Sequence, residues 1–275
     1  MFYNNLKVES TFLIALLLLI FQFNLCAQPR FVKNNGQFNK SVQFQIKMNA
    51  GGIFFEKDKV IYNLIQKDVI YEKRHGDSKK KNVLGHVYKT TFLNSNPLTT
   101  KLIGENKNSA YENYFIGDDP SKWKSNVPTF QSVIYRSLYK GIHLKYYEAK
   151  GKLKYDFIVD PNADPNNIQI QYDGLDSIYV KNGHLILLTS LGNVIEQAPI
   201  AYQINDGDKV EIKCKFFLNE NTVTFLFPTN YNKNIPLIID PVLIFGTYTN
   251  STSDNWGYTA TYDDAGNMFV GGITF

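Results

Sequence analysis

Residues 142–160 read IHLKYYEAKGKLKYDFIVD, and their alternation decides the fold class. Ile142, Leu144 and Tyr146 face one way; His143, Lys145 and Tyr147 face the other. After a turn at Ala149-Lys150-Gly151, Leu153, Tyr155, Phe157 and Val159 return, with Lys152, Lys154 and Asp156 on the opposite side. A period of two marks a strand with one buried and one wet face, and two such runs around a short turn make a hairpin. Asp160-Pro161 ends it, because proline has no ladder donor and restricts its predecessor.

The same grammar extends in both directions. Toward the C-terminus, Ile168–Tyr172, Ile178–Val180, 185–188, 194–204, 209–218 and 223–227 read as strands, with Asn182-Gly183 and Asp206-Gly207 as two-residue turns. Toward the N-terminus, Val42, Phe44, Ile46 and Met48 alternate with polar residues, Asn49 to Gly52 turn the chain, and 53–56, 60–65 and 83–93 continue a meander. Residues 95–109 carry turn chemistry and predict a mobile connection. Residues 111–130 are irregular, with Trp123 expected to fold back as a plug and two subdomains expected to meet near residue 120. No long helical period follows residue 28. The expected fold is all-β: a large antiparallel β domain, sandwich-like and meander-rich.

The front of the chain has another texture. Phe12 to Phe21, FLIALLLLIF, is an apolar run of ten residues. As a helix it would rise about 15 Å, half of a hydrocarbon core of about 30 Å. Ala27 follows as a small residue suited to cleavage, so residues 1–27 read as a secretory signal peptide, with a membrane anchor or lipidation at Cys26 as alternatives. Export then leaves Cys214 as the sole cysteine. No intrachain disulfide can form, and its place in an apolar alternation favours an inert thiol. No membrane span is expected after cleavage. Formal net charge is +4 over 275 residues, with acids and bases interspersed. The basic cluster Lys79-Lys80-Lys81 sits in a polar connection, too narrow a footprint for nucleic acid.

Chemistry-bearing motifs are sparse. The zinc-protease, nucleophile-elbow, phosphate-loop and paired-cysteine signatures are missing from the sequence, and no cofactor or metal is implied. His143 and Asp156 lie on the same outward face of the hairpin and could pair, without a nucleophile to serve. Asp118-Asp119 and Asp263-Asp264 raise calcium, but neither shows regularly spaced ligands. Trp123, among tyrosines, is the candidate ligand-binding residue, as a platform for the apolar face of a sugar; a packed tryptophan is the plainer alternative.

Residues 242–275 read as an apolar strand, a polar loop, a second strand, a tight Asp263–Asn267 turn and a third strand. Phe245-Gly246-Thr247-Tyr248, Asp254-Asn255-Trp256-Gly257-Tyr258 and Asp264-Ala265-Gly266-Asn267-Met268-Phe269-Val270-Gly271-Gly272-Ile273-Thr274 resemble the first unit of bacterial beta-propeller repeats of the SBBP type. Phe269 stands where a tyrosine is usual. The preceding Phe31-Val32-Lys33-Asn34-Asn35-Gly36-Gln37-Phe38, Tyr114-Phe115-Ile116-Gly117, Tyr139-Lys140-Gly141-Ile142, Tyr155-Asp156-Phe157-Ile158-Val159 and Ile239-Asp240-Pro241 resemble the uncharacterised β-rich domain that precedes such repeats in secreted Bacteroidota proteins. That resemblance implies further propeller blades, adhesion-like modules and type IX secretion. It supplies no catalytic residues.

The expected organisation is a signal peptide at 1–27, a β-rich domain of unknown function at 28–240, and the first, incomplete part of a propeller array at 241–275. One unit cannot bury both faces, so the chain reads as a fragment of a longer coding sequence. The function expected is a secreted or cell-surface adhesion-type binding scaffold rather than an enzyme, with an unknown protein or glycan and the downstream propeller blades as partners. The alternatives are an ancillary carbohydrate-binding protein of a polysaccharide-degrading system, or an enzyme with its site in further blades.

Overall fold

The computed structural model describes residues 30–48, 51–66, 83–149, 152–245, 255–262 and 268–274. The expected leader, the Lys79-Lys80-Lys81 cluster, the turns at Asn49-Ala50 and Lys150-Gly151, and Asp263–Asn267 lie outside the described residues.

The first half of the domain runs β1 (Phe31–Lys33), β2 (Phe44–Lys47), β3 (Gly51–Phe55), β4 (Lys59–Ile65), β5 (Gly85–Phe92), β6 (Lys101–Tyr114), β7 (Lys124–Tyr139), β8 (Ile142–Ala149) and β9 (Lys152–Val159). The second half runs β10 (Ile170–Asp173), β11 (Ser177–Lys181), β12 (His184–Thr189), β13 (Gly192–Glu196), β14 (Ile200–Asn205), β15 (Asp208–Ile212), β16 (Lys215–Asn219), β17 (Thr222–Leu226), β18 (Leu237–Asp240) and β19 (Leu243–Phe245). A hairpin of β20 (Asn255–Tyr262) and β21 (Met268–Thr274) follows.

A 15-stranded antiparallel sheet dominates, with strand order β15-β14-β18-β9-β8-β7-β1-β2-β3-β4-β5-β10-β17-β16 and β6 added on β7. The central hairpin has the register the alternation demands: Tyr146 opposes Tyr155, and Leu144 opposes Phe157, all buried. Asn182 (φ 53°) with Gly183 (φ 81°), and Asp206 (φ 51°) with Gly207 (φ 94°), take the left-handed conformations that two-residue hairpin turns require.

The sheet rolls over on itself. Phe55 and Tyr146 sit four strands apart along the order, about 19 Å in a flat sheet, yet their ring centroids are 5.1 Å apart. Phe157 of β9 and Phe225 of β17 stand nine strands apart and meet at 5.8 Å. One aromatic core therefore fills the space between the halves. A second sheet, β11-β12-β13-β19, adds Leu185, Leu187, Val194 and Leu243 to it.

Several expectations change. Residues 209–218 divide at Lys213-Cys214 into β15 and β16, at opposite ends of the large sheet, and 124–139, read as irregular as far as 130, is the strand β7. Residues 95–109 were expected as a mobile connection, but Lys101–Tyr114 is a strand on β7. Its side chains are exposed on much of both faces, so apolar alternation is weak there and the ladder to β7 defines the strand. That pairing spans residue 120, so no subdomain seam falls at that point. Residues 194–204 divide at Pro199: β13 joins the small sheet and β14 the large one. Proline interrupts the ladder where the chain must change sheets. The reverse exchange occurs at Pro241, between β18, paired with β9 and β14, and β19, paired with β13.

Cys214 lies between β15 and β16, half-buried, and burial pushes its thiol up to about 12, which fits an inert cysteine. Among the described residues no helix is long and apolar enough to cross a membrane.

Candidate binding site

A concavity lies under the β1–β2 loop. The segment Lys33-Asn34-Asn35-Gly36-Gln37-Phe38-Asn39-Lys40 is polar and would wander without internal bonds. Asn34 supplies them. Its Oδ1 accepts the N–H groups of Gly36 (2.9 Å) and Phe38 (3.2 Å), and its Nδ2 donates to the carbonyls of Asn39 (2.9 Å) and Val42 (2.7 Å). Gln37 adds a bond from Nε2 to the Lys33 carbonyl (2.6 Å) and accepts the Asn35 N–H (2.7 Å). Asparagine suits this task because one short side chain carries both donor and acceptor to nearby backbone. Gly36 adopts φ +102°, and a Cβ there would also stand 3.1 Å from Lys124 Cε.

Facing this loop are Leu102, Ile103 and Gly104 of β6 and Phe130 of β7. The Phe130 ring lies directly on the Gly104 backbone, 2.5 Å from where a Cβ would be, so only glycine admits it without a shift. Phe44 meets Phe130 edge-on at 5.8 Å. Together they bound an open groove of about 540 Å³, whose charged lining residues are Lys33 and Lys40. Asn34→Ala is expected to cost about 1–2 kcal/mol by releasing backbone donors. Hydrogen exchange at the Gly36 and Phe38 amides should accelerate; unchanged protection would show that the loop is held by other contacts.

Trp123 stands next to this region. It ends the loop between β6 and β7, 39 % exposed, with its indole N–H donated to the Gly117 carbonyl (3.1 Å). Its ring meets Phe115 at 5.5 Å and 66°, an edge-to-face pair. The tryptophan therefore packs within its own loop at an exposed tip and does not plug the sheet. Phe115 (60 % exposed) and Ile116 (71 % exposed) share that tip. Phe38 of the groove loop packs edge-on against Tyr114 at its base.

The suggested His143–Asp156 pair does not form. His143 Nδ1 accepts the Ser137 N–H (2.8 Å), which leaves Nε2–H to bond Asp160 Oδ2 (3.2 Å). The imidazole thereby supports a bulge in β7, where Ser137 takes φ 55°. Asp156 instead opposes Lys145 and accepts the Tyr147 hydroxyl (3.1 Å). On its other side the β9–β18 register sets it directly across from Asp240, since Phe157 pairs with Ile239 and Lys154 with Val242. Like charges opposite one another are unfavourable. Lys154 Nζ contacts Asp240 Oδ2 at 2.7 Å, while burial and then the Asp240 charge push the Asp156 carboxyl up to about 6. Sequence inspection missed this pair, because 84 residues separate its members in the chain.

Of the acidic turns considered for calcium, Asp119 caps the 3-10 turn Pro120–Lys122, its Oδ1 accepting from Ser121 Oγ (2.7 Å) and N (3.1 Å). Among the described residues no group of three metal-ligating side chains gathers.

Neither the curated proteins nor the solved structures contain a match to this chain. A family model described as a domain of unknown function (DUF7948) matches residues 31–242, which run from β1 through β18 and include the groove. By that match, the chain belongs to the family of uncharacterised β-rich domains known as DUF7948.

Proposed function

We propose that this chain is an exported or cell-surface binding scaffold, in which a rigid β domain presents a preorganised groove and leads into beta-propeller repeats. The groove carries the reading. Loops fixed on a stiff β framework are favoured places for recognition, and a concavity of this size suits a short ligand segment. The apolar run at 12–21 supports export, and the repeat-like texture of 242–275 supports the propeller lead-in. A role in adhesion or display at the outer surface follows from both, with protein or glycan as the partner class.

A second reading, ancillary carbohydrate binding, is favoured by the exposed Trp123–Phe115 tip. A glycan array probed with the purified chain tests both. Glycan hits that disappear in Trp123→Ala, at a loss of about tenfold or more in affinity, would assign recognition to the tip. Hits that survive the substitution would place it elsewhere on the scaffold. A chain that stays inside the cell when expressed from its native leader would overturn the cell-surface assignment.

A further inference from the structure

We propose that the groove under the β1–β2 loop binds an anionic polysaccharide, with sugar carboxylates or sulfates held by Lys33 and Lys40 and ring faces laid on its apolar floor. The inference rests on the binding-scaffold reading and specifies its ligand class.

Charge is the first argument. The groove lining contains two lysines and no carboxylate. Lys59, Lys89, Lys122, Lys145 and Lys154 each stand 2.7–3.8 Å from an acidic oxygen, whereas Lys47, Lys101, Lys107 and Lys213, away from the groove lining, enter none of these pairs; what sets the groove apart is the gathering of cations in one concavity. Lys33, Lys40 and the adjacent Lys124 enter none of the ion pairs formed among the described residues. Lys124 approaches Gly36, so a third ammonium-bearing side chain borders the same loop. An excess of one sign within one concavity concentrates ligands of the other.

The floor is the second argument. Phe38, Phe130 and Leu102 give the groove apolar surface beneath its cationic rim. An acidic sugar matches that division, having a C–H face on one side of the ring and a charged group at its edge. A flexible acidic peptide would satisfy the lysines but leave the ring faces without a flat partner. The third argument is rigidity. The Asn34 network orders the loop before any ligand arrives, which lowers the entropic cost of binding.

The test is titration calorimetry of the whole purified chain with four polymers: polygalacturonate, chondroitin sulfate, neutral pullulan and poly-L-glutamate. The expected result is binding of one or both anionic glycans, weakened by added salt, with no comparable binding of pullulan or polyglutamate. Binding of polygalacturonate shows that carboxylates suffice, and binding of chondroitin sulfate alone, which carries both groups, shows that sulfate is required. The double variant Lys33→Gln/Lys40→Gln should lose about tenfold or more in affinity. Lys33→Arg/Lys40→Arg should retain binding, and so should Lys213→Gln, an exposed site away from the groove lining. All four lysine side chains concerned, Lys124 included, are outside the core, so folding should persist, with circular dichroism as the check.

Equal binding of pullulan or polyglutamate, or undiminished binding by the double glutamine variant, would overturn the proposal. So would the absence of binding to either anionic glycan. Array hits lost in Trp123→Ala but indifferent to the lysine substitutions would also overturn it, while leaving the scaffold reading intact.

Discussion

Replacing Glu196 by alanine is expected to destabilise the domain by about 4 kcal/mol, the sum of a cavity and two orphaned hydroxyls. Glu196 is 2 % exposed, at the end of β13. Tyr155 of β9 donates to its Oε2 at 2.6 Å, and Tyr172 of β10 to its Oε1 at 2.7 Å. These bonds tie the small sheet to two strands of the large one that come together only because the large sheet rolls over. Burial raises the carboxyl's pKa, and the two phenols pull it back by bonding the charged form. Truncation leaves both hydroxyls inside an aromatic core with no solvent to replace the acceptor. Glu196→Gln preserves volume and one acceptor, and should cost about 1–2 kcal/mol. Urea unfolding followed by tryptophan fluorescence measures both variants. A Glu196→Ala loss below about 1 kcal/mol would mean the two tyrosines find other partners, and that the tie between sheets is not made by this residue.

The Asp156–Asp240 pair should make the protein more stable at pH 5 than at pH 7.5. The native Asp156 carboxyl lies near 6, against 3.8 ordinarily, so the folded state holds its proton more tightly than the unfolded state does. Stability therefore rises as pH falls through about 6 toward 4, and the burial penalty is fully felt above about 7. A shift of this size corresponds to about 2–3 kcal/mol. The Asp240 side chain that raises Asp156 is itself in contact with Lys154 Nζ at 2.7 Å. Glu105 carries the opposite sign. Burial lifts its carboxyl, but Lys145 and Arg136 outweigh it and hold the pKa below the usual value. Its stabilisation is lost only at lower pH. Buried Glu196 shares the sign of Asp156, so the assignment needs a variant. Asp156→Asn should flatten the slope between pH 5 and 7.5 and stabilise the protein at pH 7.5. A slope unchanged in that variant would move the effect to Glu196 or another group.

The local parts of this architecture were legible from residues alone. The 142–159 alternation specified a hairpin with its inner and outer faces correctly assigned. Asn-Gly and Asp-Gly specified their turns, because few residues tolerate positive φ in succession. Strands also form at 243–245, 255–262 and 268–274, but the first pairs with β13 of the small sheet while the other two pair with each other. Residues 101–114 were misread because a strand wet on much of both faces has no period to detect, and its pairing partner begins only beyond a nine-residue loop. The break at Pro199 was passed over because apolar residues continue on either side of it.

The candidate site was less legible. Trp123 could be singled out as a large aromatic in a polar setting, but the groove beside it joins residues 33–44 to 102–104 and 130. Asn34 looked like ordinary turn composition, and only the folded loop reveals that one side chain holds it. The His143–Asp156 pairing failed because a shared outward face does not fix which neighbour is within reach; the bulge at Ser137 turned the imidazole toward Asp160.

By itself, the sequence determined what depends on near neighbours: strand period, turn type and the all-β class. Tertiary structure decided what depends on distant pairing: the rolling of the sheet, the sealing of Glu196 between sheets, the facing of Asp156 by Asp240 and the cationic groove. Neighbouring residues sense one another through backbone sterics and short hydrogen bonds. Partners a hundred residues apart meet only after the whole chain has exchanged its conformational entropy for a common core.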